Sequence, residues 1–157
     1  MVSRPDRAFR IADRRHDLFD GMGAFLSGAR WNSPGCRVIY AAETFAGALL
    51  EMLMHTRLGA VPRTHAWIEI EIPGDVSLEE VDAGAIPGWD TEDSAAAREF
   101  GDAWYRSRRS LVLVVPSIVL PSGMGRNVLF NQEHEEFGRL AATDPRPVVW
   151  DKRLFAG

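Results

Sequence analysis

Cysteine is almost absent from this chain: Cys36 is the only one among 157 residues. An intramolecular disulfide is therefore excluded, and one chain cannot build a metal site from several thiolates. Such cysteine usage is the default of proteins that work in a reducing compartment. The chain also has no apolar run approaching the roughly 20 residues of a membrane-spanning helix, and its start, MVSRPDRAFR, has no apolar signal-peptide core. We therefore expect a cytoplasmic protein with no membrane partner.

Several motifs that carry common chemistries are missing as well. The four histidines, His16, His55, His65 and His134, have no HxxxH spacing and no supporting cysteine, so no metal site is expected. The sequence also lacks a GxSxG nucleophile elbow, a P-loop and a GxGxxG that opens a helix. The sequence signatures of hydrolases and nucleotide kinases are therefore absent.

Acidic residues outnumber basic residues, so the formal net charge is -4 and the pI is about 5.6. Affinity for a phosphate backbone needs clustered Lys and Arg, so direct nucleic-acid binding is not expected. The one dense basic cluster, Arg106, Arg108 and Arg109, fits a solvated helix end. Hydrophobic residues make up 46% of the chain and charged residues 25%, which is typical of a globular protein. At this length we expect a single domain over residues 1–157.

Short apolar runs separated by Gly and Pro turns predict an α+β fold. The residues predicted to form strands are Phe9–Ile11, Val38–Tyr40, His65–Ile72, a central Leu111–Val115 and Asn127–Phe130, with shorter strands near 77–81, 118–120 and 147–150. One helix is predicted from the cap Thr44 to about Leu58, and another from Asp93 or Ser94 to about Ser107. Because these elements do not alternate as βαβ units, we expect mixed or antiparallel sheets around a cleft.

The stretch from Gly28 to Glu51 places three polar groups, Arg30, Tyr40 and Glu51, in apolar surroundings. Glu51 falls within the first predicted helix, whose side chains are apolar nearly all round, so we expect a core helix. An ionised carboxylate is costly to bury unless it is paired, hydrogen-bonded or open to a cleft. Arg30, Tyr40 and His55 are the nearest candidates to meet it. The stretch is therefore either a structural Arg–Glu pair or part of a polar cleft.

Arg10 is a further candidate, because it stands between Phe9 and Ile11 in a predicted strand and so lies on the face opposite to both. It either faces the cleft or is exposed on an edge strand. Gly21 and Gly23 in the next loop either let the backbone approach a phosphate or simply turn the chain. Residues elsewhere must decide between these interpretations.

The chain resembles a known family in several separate pieces. Its segment GARWNSPGCRVIYAAETFAGALLE resembles the signature block of the RES-domain toxins, in which Gly-x-Arg-Trp-Asn leads into a strand ending in Tyr and then a helix carrying Glu. Other motifs stand in the family's order: Phe9-Arg10-Ile11 upstream, then Ile86-Pro87-Gly88-Trp89, Gly101-Asp102-x-Trp104, Val115-Pro116-Ser117 and Asn127-x-Leu129-x-Asn131-x-x-His134. The resemblance spans nearly the whole chain. Where the family usually has Asn-Pro and His-Pro, this chain has Asn131-Gln132 and His134-Glu135.

The resemblance implies a fold similar to that of the ADP-ribosyltransferase toxins, consumption of NAD, and neutralisation by an Xre-like antitoxin protein. It also implies roles for individual residues, which are catalytic roles for Arg30, Tyr40 and Glu51 and substrate contacts for Arg10, Arg30, Tyr40, Ser117, Asn131 and His134. NAD enters as a substrate rather than a resident cofactor, and no metal is implied.

The residue types suit that chemistry. Breaking the nicotinamide–ribose bond develops an oxocarbenium-like cation, which the fixed negative charge of Glu51 can stabilise. The guanidinium of Arg30 suits a pyrophosphate, and the hydroxyl of Ser117 could add a donor. Tyr40 could stack on nicotinamide or orient the ribose through its hydroxyl.

Three functions are compatible with these residues. The first is a toxin that degrades NAD with water or phosphate as the acceptor. The second is an ADP-ribosyltransferase that uses the same site to modify a protein. The third is a non-catalytic interaction module in which Arg30 and Glu51 form a buried pair.

Overall fold

The computed structural model describes residues 3–55, 62–121 and 123–155. Three α-helices and eight strands lie within these ranges. The helices are α1 (Met22–Ser27), α2 (Phe45–Met54) and α3 (Ala95–Ser107). The strands are β1 (Arg7–Asp13), β2 (Val38–Ala42), β3 (His65–Glu71), β4 (Leu78–Glu80), β5 (Val112–Pro116), β6 (Arg126–Asn131), β7 (Ala141–Ala142) and β8 (Arg146–Pro147). Single 3-10 turns occur at Ala83–Ala85, Phe137–Arg139 and Lys152–Phe155.

All eight strands belong to one mixed sheet. Their order is β4-β5-β6-β2-β1-β3-β7, with β8 also pairing β3. The pairing of β4 with β5 is parallel, whereas the other pairings of the described strands are antiparallel. The expected α+β fold with a mixed sheet is thus confirmed. Parallel neighbouring strands need a long crossover connection, usually a helix, to join them. Most consecutive strands here have no such connection, so most of the pairings are antiparallel.

The sheet opens in its middle, between β1 and β2. All seven residues of β1 pair with β3, but β1 meets β2 at a single register, Phe9 with Ala42. Both halves contribute to the largest core cluster, which includes Ala8 and Ile68 from one half and Ile39 and Phe130 from the other. The resulting gap between β1 and β2 is where a cavity forms.

Helix α2 covers the outer face of this gap. Thr44 caps it as predicted, since its hydroxyl accepts a hydrogen bond of 3.0 Å from the backbone N–H of Gly47. The expectation of a core helix is wrong, because only Gly47 and Ala48 are buried while Leu50 is 40% and Met54 57% exposed. The helix lies on the sheet through one side only, and its described part ends at Met54. The predicted end near Leu58 lies outside the described residues.

Helix α3 packs on the same face of the sheet as α2 and forms a second core with Leu113, Val115 and Leu129. Gly101 permits the close approach of α3 to Trp31, because a Cβ at position 101 would stand 1.6 Å from the carbonyl oxygen of Trp31. The strand predicted near 118–120 is absent, since Pro116 and Arg126 form the last register of β5 with β6 and the following residues have no partner strand. Of the strand predicted at 147–150, only Pro147 is paired. No helix in the described ranges is long and apolar enough to cross a bilayer.

Candidate active site

A cavity of about 720 Å³ occupies the gap between β1 and β2. Its walls come from β1, the starts of α1 and β6, the strand β2, the end of α2 and the turn before β2. The polar side chains among its lining residues are Arg10, Asp13, Arg30, Tyr40, Glu51, His55, Ser94 and Asn127. A volume of this size is typical of a small-molecule site.

Glu51 reaches the cavity from the last turn of α2. Its Oε1 atom accepts two hydrogen bonds, one of 3.1 Å from the hydroxyl of Ser117 and one of 2.9 Å from the side-chain amide of Asn127. Both donors are neutral, and Glu51 forms no ion pair with any cation of the described residues. No cation of the described residues therefore offsets this carboxylate at the cavity wall. We call Glu51, Ser117 and Asn127 the carboxylate cluster.

Arg30 stands at the tip of a tight turn on the opposite wall. Ala29 and Asn32 close this turn through paired backbone hydrogen bonds of 2.9 and 3.3 Å. The Nη1 atom of Arg30 donates to the carbonyl oxygens of Trp89 at 3.1 Å and Thr91 at 2.9 Å. The pair with Glu51 that the sequence left open is thus not formed, because the guanidinium is bound by the loop before α3. Nε and Nη2 of Arg30 make no hydrogen bond within the described residues.

Tyr40 holds the same turn through its hydroxyl. That oxygen accepts a hydrogen bond of 3.1 Å from the backbone N–H of Trp31 and donates one of 2.6 Å to Oδ1 of Asn32. Burial raises the pKa of Tyr40 far above the ordinary value for a phenol, so the hydroxyl stays protonated. It can act as a donor and an anchor, but not as a base at neutral pH.

The turn at 28–33, which we call the arginine turn, is fastened from behind by α3. Asp102 accepts hydrogen bonds from the backbone N–H of Ser33 at 2.7 Å and from its hydroxyl at 2.6 Å. Gly28 begins the turn with φ of 71°, a conformation that favours glycine. The sequence motif Gly101-Asp102 therefore supports the position of Arg30 from outside the cavity.

Arg10 lies in an internal strand, not on an edge, and its guanidinium is partly buried where β1 and β2 part. Nε donates to the carbonyl oxygen of Leu18 at 2.8 Å, and Nη1 donates to that of Tyr40 at 2.9 Å. Burial lowers the pKa of Arg10, and Asp20 opposes this, but a guanidinium remains charged in either case. Arg10 thus satisfies a β2 carbonyl that has no strand partner and adds positive charge to the cavity wall.

Two other predicted substrate contacts, Asn131 and His134, do not line the cavity. The amide of Asn131 donates to the carbonyl oxygen of Tyr105 at 3.0 Å, and its Oδ1 accepts from the backbone N–H of Glu133 at 2.9 Å. Nδ1 of His134 accepts from the backbone N–H of Glu136 at 3.0 Å. Both side chains are buried and complete the hydrogen bonds of the turn after β6.

Sequence reasoning missed Asn127 as a cavity residue, although it stood in the last matched motif. The available signal was strand periodicity, because residues 127, 129 and 131 share one face of β6 and Leu129 pairs with Tyr40. Nothing in the local pattern indicated that the first asparagine faces α2 while the second faces α3. Sequence reasoning also missed Ser94, a buried residue of the cavity wall that precedes α3 in the left-handed conformation, with φ of 58°.

Comparison with known proteins shows the family and the fold of this chain. Residues 7–151 match the model of the RES domain. The chain is 35% identical over 142 residues to the Prs ADP-ribosylating toxin of Sphingobium sp. (strain YBL2), covering 88% of this chain and 87% of that protein. It is 33% identical over 137 residues to Toxin Res of Pseudomonas putida, covering 86% and 91%.

A solved structure resembles the fold over almost its full length. It is a chain of the crystal structure of the M. tuberculosis MbcT–MbcA toxin–antitoxin complex, with a TM-score of 0.71, 17% identity, and coverage of 96% of this chain and 86% of that one. This match confirms the expected α+β fold and shows that a toxin of known structure shares it.

Proposed function

This chain belongs to the RES-domain toxin family, and we propose that it is a toxin that cleaves the nicotinamide–ribose bond of NAD, with water or phosphate as the acceptor. The observation that carries the proposal is the charge of the carboxylate cluster. Glu51 presents an unpaired negative charge to a cavity whose other walls hold Arg10 and Arg30. Such an arrangement suits a substrate that develops positive charge at one point and carries phosphates at another.

Glu51 would act on the ribose. As the bond to nicotinamide breaks, positive charge builds on the ring, and a fixed carboxylate stabilises it without transferring a proton. The neutral nicotinamide needs no strong acid to leave. Because Oε1 is occupied by Ser117 and Asn127, the carboxylate is oriented before substrate binds. Preorganisation of this kind avoids a reorganisation cost during the reaction.

Arg30 and Arg10 would hold the phosphates. Each guanidinium carries five N–H donors, of which each spends two on backbone carbonyls. The remaining donors suit the oxygens of a pyrophosphate. In this proposal Ser117 acts through Glu51 and not by touching substrate, and Tyr40 acts through the arginine turn, although its ring also lines the cavity.

The experiment is an assay of NAD with purified protein freed of any partner. Release of nicotinamide with ADP-ribose supports water as the acceptor, and a phosphorylated ADP-ribose supports phosphate. Glu51→Gln serves as the inactive variant and Glu99→Gln, an exposed position on α3, as its matched control. Folded, partner-free protein that releases no nicotinamide in either buffer or lysate would overturn the proposal.

A second candidate function is transfer of ADP-ribose to a protein. The observation that favours it is the name of the Sphingobium relative, an ADP-ribosylating toxin. Both functions use the same bond cleavage and differ only in the acceptor. A labelled protein band from labelled NAD in lysate distinguishes the second from the first. The third alternative, a non-catalytic module with a buried Arg30–Glu51 pair, loses its structural basis because the pair is not formed.

We also propose that a cognate Xre-like antitoxin inhibits by covering this cavity. An acidic side chain or a C-terminal carboxylate would occupy the donors of Arg30 much as a phosphate does. Both helices that contribute to the cavity wall carry exposed apolar side chains, which are Met22 and Leu26 on α1 and Leu50 and Met54 on α2. Expression of the toxin alone should arrest growth and deplete NAD, and coexpression should restore both. Normal growth and NAD levels with verified soluble toxin would contradict this.

A further inference from the structure

We propose that Asn127 is the residue that positions the Glu51 carboxylate, a role that rests on the proposed cleavage of NAD. Its Nδ2 donates to Oε1 of Glu51 at 2.9 Å, from the strand below the helix. The hydroxyl of Ser117 donates to the same oxygen at 3.1 Å. With both donors on Oε1, that oxygen is held in place and Oε2 is the one left for the reaction.

Asn127 is the more rigid of the two donors. Its backbone is paired on both sides, with Ala42 of β2 and with Val115 of β5. Ser117 instead follows the last residue of β5, and its hydroxyl oxygen also accepts from the backbone N–H of Val119 at 3.3 Å. A donor in the interior of a sheet holds a fixed position, whereas a donor in a connecting segment can adjust. Asn127 therefore defines where the carboxylate sits.

The chemistry of an amide explains why asparagine suits this position. A carboxylate accepts hydrogen bonds only, so the side chain of Asn127 must turn its Nδ2 toward Glu51 and its own oxygen away. An Arg or Lys at the same place would orient the carboxylate as well, but it would also neutralise the charge that the reaction needs. A neutral donor in a sheet thus fixes Glu51 and leaves its electrostatic effect on the ribose intact.

Other ionisable groups face the same cavity and must be held constant in any test. They are Arg10 and Asp13 on β1, Arg30 on the arginine turn, Tyr40 on β2 and His55 at the end of α2. The side chain of Asp13 is bound by Arg15, which lowers its pKa. All of these are common to the variants below, so differences between the variants report on Glu51.

The test compares Asn127→Ala and Asn127→Asp with the control Asn131→Ala, which alters the same residue type on the same strand face outside the cavity. For Asn127→Ala we expect kcat to fall about tenfold, the loss expected for one hydrogen bond to a charged group. KM for NAD should stay near the wild-type value. Without its donor the carboxylate takes up a proton more readily, so the acidic limb of the pH–rate profile moves to higher pH.

Asn127→Asp conserves the shape but places a second carboxylate against the first. Two acids that share a site cannot both ionise easily, so the acidic limb should move further than in Asn127→Ala. Raising the pH should restore part of the lost activity. Asn131→Ala should lower the melting temperature and leave the limb in place. Loss of activity through KM alone, or an unmoved limb in both Asn127 variants, would overturn the assignment.

A second readout does not depend on turnover. The carbon-13 signal of the Glu51 carboxyl, identified by its loss in Glu51→Gln, reports protonation directly during a pH titration. Its midpoint should rise in Asn127→Ala and rise further in Asn127→Asp. An unchanged midpoint contradicts the role of Asn127 even if the protein cleaves NAD, whereas a shifted midpoint in a protein without NAD activity would refute only the proposed function.

Discussion

The carboxylate cluster and the arginine turn face each other across one cavity and are built by opposite means. Glu51 receives two hydrogen bonds from neutral side chains, and no counter-ion within the described residues offsets its charge. The arginine turn is tied down many times over, by the hydroxyl of Tyr40, the carboxylate of Asp102 and the close approach of α3 at Gly101. The carboxylate cluster thus presents a charge that no counter-ion offsets, whereas the arginine turn has a fixed backbone geometry.

Substitutions in the carboxylate cluster and in the arginine turn should therefore affect activity and stability to different extents. Removing the charge of Glu51 takes away an electrostatic effect and leaves packing almost intact. Removing a support of the arginine turn leaves buried polar groups without partners, which lowers stability first. The ratio of lost activity to lost stability is therefore the quantity that tests the comparison.

Glu51→Gln should give the largest change in activity. The amide oxygen can still accept from Ser117 and Asn127, so the fold is retained while the negative charge is lost. NAD turnover should fall by about 10²- to 10³-fold, as when one preorganised electrostatic group is removed. The melting temperature should stay near that of wild type and of Glu99→Gln. A variant that is fully active per folded molecule refutes the catalytic assignment.

Gly101→Ala should give the largest change in stability. The new Cβ would lie 1.6 Å from the carbonyl oxygen of Trp31, so α3 and the arginine turn must move apart. We expect a loss of about 2–4 kcal/mol in the free energy of unfolding, measured by urea titration. Gly84→Ala is the matched control, because nothing lies within 4 Å of a Cβ at that position. Equal effects of the two substitutions would mean that the contact with Trp31 adapts easily.

Sequence patterns predicted most of the fold because its strands are marked by apolar runs. The strands predicted at Val38, His65 and Asn127 appear where expected, and the exposure of β3 alternates from residue to residue. The exposure of α2 was not predicted, because its apolar residues cover a sheet on one side and border a cavity on the other. Composition alone does not separate those two environments.

Four of the predicted site residues, Arg10, Arg30, Tyr40 and Glu51, line the cavity, but the contacts that they make were less predictable. Glu51 and Ser117 are 66 positions apart in sequence and meet because β5 ends beneath α2. Proximity along the chain suggested Arg30 as the partner of Glu51, but the turn directs its guanidinium to the loop at Trp89. Asn131 matched a motif and yet supports a turn outside the cavity. Such outcomes depend on the register and the curvature of the sheet, which no local pattern encodes.

Tyr40→Phe should produce an intermediate loss on the arginine side. It deletes the hydroxyl that joins the N–H of Trp31 to Asn32, which costs about 1–3 kcal/mol of stability. Tyr105→Phe is the control, since its hydroxyl makes no hydrogen bond within the described residues.

Because burial raises the pKa of Tyr40, the unfolded chain loses this proton first, and wild-type stability falls as the pH rises above about 10. The gap between wild type and Tyr40→Phe in urea midpoints should therefore narrow at alkaline pH. A difference in urea midpoints that does not change with pH would indicate that the Tyr40 hydroxyl is exposed to solvent.

The smallest expected signal comes from Cys36, a reporter of how tightly the arginine turn is closed. The thiol is 3% exposed and lies 3.6 Å from Oδ1 of Asp102. Burial raises its pKa from 9.0 to about 11, and the carboxylate of Asp102 adds to the rise. The thiolate fraction near pH 8 is then about a hundredfold lower than in an unfolded chain, because each pKa unit is a factor of ten.

Iodoacetamide should label Cys36 slowly in native protein and quickly in urea, as followed by mass spectrometry. Gly101→Ala should speed the native reaction, because it separates α3 from the turn, whereas Glu51→Gln should not. Fast labelling of the wild-type protein would show that the arginine turn opens freely, and the contrast between the two sides would then be lost.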